Sequence, residues 1–418
     1  MKSRITNFFQ VVKRMPMFWV FVLLMIVYMP NALVAPAEND SVVVCTGVGI
    51  DKADEGIELS ILTLIPQNSL TFADSYRLVS AKGQNIALAT NELVNYLGKR
   101  VDLAHAGYVI FGSELASNGI KTIIEDLVRS NDIGMNAIVM TTNVTAKEMF
   151  ETTKQFDTNS GEKVKDILYN NKRNLMDINT SIDKFYNNYL TPSACSITNK
   201  LNLVGEDGGG VEASNQSSGS GGGENASASE SEQAKPTKKV SNDGVCSVFK
   251  RAKRVLDLTA EQTEAINLVD PKSYEGKFVI NNYVTTDGNP INVSFDILDK
   301  SVVARAKIEK NHASIVYDVG FKLDVLGVES EADDPVDKIP QKSFEDIQMQ
   351  QRVADKFKTA FYGVLDILTP DDLDCIGAND ILKRSGPKKY REFLESLGEN
   401  PNILENVDIK VNVNIEIK

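Results

Sequence analysis

The chain has 418 residues, of which 42% are apolar and 24% are charged, and its formal net charge is -12. This length is enough for two or three domains with cores of their own, and the composition is that of a folded globular protein. The negative charge excludes nucleic acid as a main partner, because the chain has no basic stripe to neutralise phosphates. It also argues against broad adhesion to anionic lipid.

The N-terminus predicts export. Residues 1–14 read as a basic cytoplasmic tail, and residues 15–37 as a hydrophobic segment followed by Glu38 and Asp40. Basic residues before an apolar run and acidic residues after it place the N-terminus in the cytoplasm and the rest of the chain outside. The run is close to the roughly 20 residues that span a bilayer. Because Pro30 interrupts it and small residues end it, a cleaved signal peptide and a signal-anchor helix both stay open.

Strand and helix patterns alternate from residue 42 to residue 204, which predicts a mixed α/β domain. A helix ends at Gly98, a second begins at a Ser113 cap and runs to Val128, and residues 145–190 are helical and polar. The predicted strands are Ser41–Ile50, Ile57–Ile65, Tyr76–Ala81, Gly107–Phe111, Ala137–Thr141 and Ser193–Val204.

The composition changes sharply after residue 204. Residues 205–243 are rich in Gly and Ser and contain almost no apolar residues. Such a segment buries too little surface to offset its chain entropy, so it is predicted to be disordered. It divides the chain into an N-terminal domain, residues 42–204, and a C-terminal region, residues 244–418.

The C-terminal region begins with a predicted hairpin and a helix that Thr259 and Gln262 cap. Four strand-like runs follow, and Phe344–Leu368 is a long helix that Pro370 stops. Two short helices then lead to the last strand, Val407–Lys418, in which every odd position is apolar and every even position is polar, as in a half-buried strand. The hairpin strands are 244–249 and 254–258, the four runs are 278–284, 291–298, 302–308 and 314–326, and the short helices are 379–384 and 388–397.

The four cysteines, Cys45, Cys195, Cys246 and Cys375, have no C-x-x-C spacing and match no zinc site. Outside the membrane a disulfide is chemically allowed. However, the first three cysteines lie in strand-like runs, which predicts buried thiols outside any disulfide.

No catalytic motif occurs: the chain has no G-x-S-x-G, no H-E-x-x-H and no Walker loop. The Gly47-Val48-Gly49 pattern lacks the third glycine of a dinucleotide site and reads as a tight strand end. His105 is interpreted as a packed residue before a strand. The cluster Asp371, Asp372 and Asp374 lacks the glycine and glutamate of a calcium loop, which favours capping in a solvated turn. We therefore assign no catalytic, cofactor-binding, metal or lipidation residue, and expect no enzyme.

Four stretches, read in order, resemble the C subunit of spore nutrient germinant receptors, the Ger(x)C family. They are Val44–Lys52, Leu97–Leu115 with Gly119-Ile120, Gly244–Ile266, and the closing set of long helix, Asp374 and Gly377 turn, Lys388 helix and alternating strand. No single motif is specific, but the ordered set is. Members of this family are typically lipoproteins with a Leu-x-Gly-Cys lipobox. Here Cys45 follows three valines inside a strand, so lipidation is carried over to no residue.

The resemblance implies an α+β fold of exported, multidomain, mixed sheets packed with helices after the N-terminal hydrophobic segment. It implies a non-enzymatic receptor subunit on the outer face of the spore inner membrane, acting with A- and B-type integral-membrane subunits and needed for germination. The alternatives are an exported solute-binding or adhesion module and, least favoured, an exported hydrolase.

Overall fold

The structure is a computed structural model, and it describes residues 42–64, 76–130, 132–156, 175, 178–204, 239–273, 276–284, 290–330, 347–398 and 401–418. The predictions for residues 1–14, for the hydrophobic segment 15–37 and for most of the Gly/Ser-rich segment lie outside these residues. Within the described ranges, no helix has the length and apolar character needed to cross a membrane.

The first half of the chain alternates strands and helices, as predicted. The strands are β1 Val42–Lys52, β2 Ile57–Leu64, β3 Tyr76–Gly83, β4 Arg100–Asp102, β5 Tyr108–Phe111, β6 Ile138–Thr142 and β7 Cys195–Val204. The helices are α1 Ile86–Leu97, α2 Ser113–Asn118, α3 Lys121–Ser130, α4 Ala146–Phe156 and α5 Ile182–Tyr189.

The second half contains a further sheet and four helices among its described residues. The strands are β8 Lys239–Ser241, β9 Cys246–Lys250, β10 Lys253–Leu258, β11 Lys277–Val284, β12 Pro290–Ile308, β13 Ala313–Ser330 and β14 Val407–Ile417. The helices are α6 Ala260–Asn267, α7 Ile347–Leu368, α8 Ala378–Ser385 and α9 Pro387–Leu397. The Thr259–Gln262 capping box is present at the start of α6, as predicted.

Two mixed sheets organise the molecule, which confirms the α+β class. The first has the order β10-β9-β7-β6-β5-β1-β2-β3, with β4 paired to β1 and β8 to β7. Its centre, from β7 to β1, is parallel, and the flanking strands are antiparallel. The second sheet has the order β11-β12-β13-β14, in which β14 runs parallel to β13.

The predicted hairpin β9–β10 exists, but it belongs to the first sheet. β9 pairs with β7 on the far side of the Gly/Ser-rich segment, with Cys195 opposite Lys250 and Asn199 opposite Cys246. The change of sheet therefore falls between Leu258 and Lys277, whereas composition placed the division of the chain at residue 244. Strand pairing depends on partners that are distant in sequence, and composition carries no information about them.

The helix predicted from Ser113 to Val128 is two helices, α2 and α3. Gly119, with φ of 113°, separates them, and Gly112 rather than Ser113 is the N-cap of α2. Ser113 is the first helical residue, and its hydroxyl accepts a hydrogen bond from Arg254 Nη2 at 3.1 Å. The apolar spacing predicted the buried face correctly but did not register the break.

The four strand-like runs of the second sheet are three strands. The runs 291–298 and 302–308 are one strand, β12, which carries a register irregularity between Ile297 and Asp299. The polar residues at this irregularity resemble a turn in the sequence. In the structure they continue the strand because Lys300 is buried and hydrogen-bonded.

One apolar core joins the two sheets. The second sheet packs its buried face on α7, through Phe321, Phe357 and Phe361 among others. The same cluster includes buried residues from the first-sheet side, namely Leu175, Ile178, Cys195, Ile197, Cys246, Val248 and Leu258. Two further clusters fill the opposite faces of the first sheet. The two sheets are therefore packed against each other through a shared interior.

The Gly47 and Gly49 pair lies within β1 and not at its end, so the prediction of a tight strand end is wrong. A Cβ atom on Gly47 would lie 2.4 Å from the ring of Tyr108, and one on Gly49 would lie 2.8 Å from the ring of Phe150. Both glycines are required because these rings pack directly on the strand backbone.

We expect Gly49→Ala to lower the free energy of unfolding by about 1–3 kcal/mol, because the added methyl group overpacks the contact with Phe150 and Ala146. Gly363 is the matched control: it lies inside α7, is exposed, and has no heavy atom within 4 Å of an added Cβ. Gly363→Ala should raise stability by about 0.5–1 kcal/mol. Urea denaturation of the full chain in detergent measures both, and changes of the same sign would contradict the packing argument.

β14 shows the predicted alternation, with Val411 4% exposed and Asn414 on the opposite face, in solvent. Val411→Asp should cost more than about 3 kcal/mol of stability, because it buries an unpaired charge. Asn414→Asp places the same side chain in solvent and should change stability by less than about 0.5 kcal/mol. Equal denaturation midpoints for the two variants would show that β14 does not close this core.

Candidate functional site

A cleft lies at the junction of the two sheets. We call it the junction cleft; it is a cavity of about 410 Å³ lined by α5 and β7, by the loop after α6, and by the connection from α7 to α8. An adjoining cavity of about 430 Å³ shares part of this lining. The charged residues that line one or both cavities are Asp183, Lys184, Asp270, Lys272, Asp374, Asp380 and Arg384.

One wall of the junction cleft is the acidic turn, residues 369–377, which joins α7 to α8. Asp374 accepts hydrogen bonds from the backbone N–H groups of Ala378 at 2.7 Å and Asn379 at 2.8 Å. Its carboxylate therefore caps α8, whose N-cap Gly377 adopts the left-handed conformation, with φ of 74°. Burial raises the pKa of Asp374, and these N–H donors oppose that shift.

Asn379 extends this cap into a buried network that crosses the junction. Its side-chain N–H₂ donates to Asp374 Oδ2 at 2.8 Å and to Ser193 Oγ at 2.7 Å. Tyr390 on α9 donates its hydroxyl proton to Asn379 Oδ1 at 2.7 Å. Ser193 precedes β7, so a single amide links the first sheet to α8 and α9.

Asp372 makes a second connection between the sheets. Its Oδ1 accepts hydrogen bonds from the N–H groups of Ile403 at 2.9 Å and Leu404 at 3.1 Å. Lys250 on β9 donates to the Asp372 carbonyl at 2.7 Å and lies 3.3 Å from Oδ2. The backbone N–H donors confirm the capping interpretation for Asp372 and Asp374. Asp372 is 5% exposed, so the solvated-turn interpretation is wrong for this residue.

Two cysteines meet at the back of the junction cleft. Cys195 Sγ, at the start of β7, lies 3.5 Å from Cys375 Sγ in the acidic turn. Their contact, together with burial, raises the pKa of Cys375 well above its usual value. All four cysteines are outside disulfides in the structure, and Cys45, Cys195 and Cys246 are buried in strands as predicted.

A buried lysine holds the opposite wall, the loop after α6. Lys300 Nζ donates to the backbone carbonyls of Asn267 at 2.6 Å, Asp270 at 2.8 Å and Ser273 at 2.6 Å. These three acceptors match the three donors of an ammonium group. Burial nevertheless lowers the pKa of Lys300 to about 7. No sequence pattern pointed to this residue, because its partners are backbone atoms.

The arrangement is suited to holding two sheets together. The carboxylates of Asp372 and Asp374 each accept backbone N–H donors, which accounts for their position in the acidic turn. In the part of the chain that the structure describes, no group of three or more His, Cys, Asp or Glu residues is placed to hold a metal ion. The absence of catalytic, cofactor and lipidation residues stays a prediction.

His105 is exposed in the turn between β4 and β5, so its interpretation as a packed residue is wrong. Asp102 Oδ1 accepts the N–H of Ala104 at 2.9 Å, and this turn directs residues 104 and 105 outward. Leu103 and Ala106 are buried in its place. The apolar neighbours in the sequence therefore indicated a buried segment but not which residue faces solvent.

The pKa of Lys300 gives a pH dependence of stability. Its folded pKa, about 7, lies below the roughly 10.4 of an unfolded lysine, so the unfolded chain binds more protons between these values. The stability of the native protein relative to Lys300→Met should therefore rise with pH above 7, at up to about 1.4 kcal/mol per pH unit. Urea denaturation from pH 7 to pH 9.5 measures this, with exposed Lys310→Met as control. Identical slopes for the two variants would contradict the buried state of Lys300.

Two family models match the chain. Residues 38–203 match the model described as spore germination protein N-terminal domain. Residues 246–418 match the model described as spore germination B3/GerAC like, C-terminal. No curated protein matches the chain.

A solved structure shares this fold. The chain is similar to the crystal structure of the GerBC protein with a TM-score of 0.52 and 15% identity, over 89% of this chain and 96% of that chain. At this identity the likeness establishes the α+β fold alone. The two family models together cover residues 38–203 and 246–418, well over half of the chain, and the chain belongs to the family of spore germinant receptor C subunits.

Proposed function

We propose that this protein is a non-enzymatic, membrane-associated subunit of a spore nutrient germinant receptor and is needed for germination. The observation that carries the proposal is family membership along both halves of the chain. A role in spore germination follows from the family itself. The non-enzymatic character is supported by the junction, where the buried carboxylates serve as hydrogen-bond acceptors for backbone and lysine donors.

The proposed partners are the A- and B-type integral-membrane subunits of the receptor, because a C subunit of this family acts with other receptor subunits. The proposed location is the outer face of the spore inner membrane, with residues 15–37 as anchor or signal. The basic residues before this segment and the acidic residues after it support that orientation.

We further propose that residues 42–204 and 244–418 form one ectodomain unit and not two independent domains. Residues 205–243 would then be an insertion in this unit. The shared core and the pairing of β9 with β7 support this arrangement. Each half alone would expose apolar residues that are buried at the junction.

The direct test is co-purification from detergent-solubilised spore membranes with an affinity tag after Lys418. The native chain should retain the A- and B-type subunits. Asn414→Asp should retain them equally, and Val411→Asp should lose them together with nutrient-triggered germination, because it disrupts the second sheet. Recovery of the native chain without any membrane subunit, from spores that do germinate, would refute the proposed function.

The junction cleft supports a second candidate, an exported solute-binding module. Its volume of about 410 Å³ is in the range of small-molecule sites, and polar groups converge on it. This function predicts that a small solute raises the melting temperature of the native chain and that Asp380→Ala, at a residue that lines both cavities, removes the shift. Exposed Asp371→Ala, outside both cavities, is the control.

A further inference from the structure

The strongest chemical feature that the receptor function does not use is the pair Cys195 and Cys375. The two sulfur atoms lie 3.5 Å apart, although 180 positions separate the residues in the chain. A disulfide bond is about 2.05 Å long, so the sulfur atoms need to approach by roughly 1.5 Å. Cys375 lies in the acidic turn, outside any helix or strand, so its side chain can move without breaking the hydrogen bonds of a sheet.

A reagent reaches the pair through Cys375, because Cys195 is only 3% exposed. Both cysteines line the junction cleft, and Cys375 is only partly buried. Cys246 lies close enough to affect the pKa of Cys375, but it does not line the cleft, and its Sγ lies 3.4 Å from Asn199 Oδ1. Cys45 belongs to a different core cluster in the first sheet. Of the four cysteines, geometry therefore selects one pair.

We propose that Cys195 and Cys375 are a modification site at which a small aliphatic disulfide, such as oxidised glutathione, converts the two thiols into one intramolecular disulfide. In the first step the thiolate of one cysteine attacks the reagent, forms a mixed disulfide and releases one reagent thiolate. In the second step the other cysteine attacks the protein sulfur of the mixed disulfide and displaces the second reagent thiolate. Two electrons pass from the cysteines to the reagent, and the two cysteine protons end on the two released thiols.

The disulfide bond would link the acidic turn covalently to β7, which begins at Cys195. Because it closes a loop of 180 residues, it restricts the unfolded chain strongly, and the melting temperature should rise by roughly 3–8 °C. The expected export of the chain places the pair where disulfides persist. Contact with Cys195 and burial raise the pKa of Cys375, so little of its reactive thiolate is present at neutral pH and the exchange is slow.

The experiment treats the full native chain in detergent with oxidised glutathione at pH 8.5, without denaturant. Intact mass should fall by two hydrogen masses, and the non-reduced peptide map should contain one fragment that joins Cys195 to Cys375. The melting temperature should rise, and dithiothreitol should reverse both changes. Cys195→Ser and Cys375→Ser should each fail to gain stability and should keep a mixed disulfide with one glutathione or no modification.

The native chain decides the outcome even if a variant does not fold. A peptide that joins Cys246 to either cysteine, or an unchanged mass after reaction times that modify the unfolded chain completely, would overturn the proposal. Cys246→Ser, which keeps a hydrogen-bond donor toward Asn199, should still form the Cys195–Cys375 bond. The result is independent of the receptor function, since co-purification of the membrane subunits does not require the oxidised form.

Discussion

The structure depends on the apolar core that the two sheets share. β7 and β9 contribute buried residues to the same cluster as the second sheet and α7, so the sheets remove each other's apolar surface from water. Several polar side chains that cross this junction are hydrogen-bonded. Asp372 and Asp374 accept hydrogen bonds from backbone N–H groups that would otherwise be buried without a partner. The side chain of Asn379 is hydrogen-bonded to those of Ser193 and Tyr390.

This arrangement gives the acidic residues a positional role. A buried carboxylate without donors would cost several kcal/mol, and the carboxylates of Asp372 and Asp374 are each offset by at least two N–H donors. On the opposite wall the side chain is the donor: Lys300 donates hydrogen bonds to three backbone carbonyls. The two walls of the junction cleft are thus each held by ionisable side chains that are bonded mainly to backbone atoms.

Local patterns predicted the elements well and their partners poorly. Three predicted features depend only on residues that are close together in the chain, and each is present. They are the alternation of β14, the Thr259–Gln262 capping box and the end of α1 at Gly98. By contrast, β12 continues through a polar stretch because Lys300 finds acceptors in a different loop. The hairpin β9–β10 joins the first sheet because β7 offers it an edge from beyond the Gly/Ser-rich segment. His105 faces solvent because of a turn that Asp102 stabilises.

The sequence by itself determined the class of fold, the order of the elements and the family, since these rest on periodicity, capping and an ordered set of short patterns. Only the tertiary structure decided what meets at the junction. The contact of Cys195 with Cys375, the bridge from Ser193 through Asn379 to Tyr390, and the burial of Lys300 join residues that are far apart in the chain. No local propensity encodes such contacts, because they form only when two sheets bury a common core and bring their loops together.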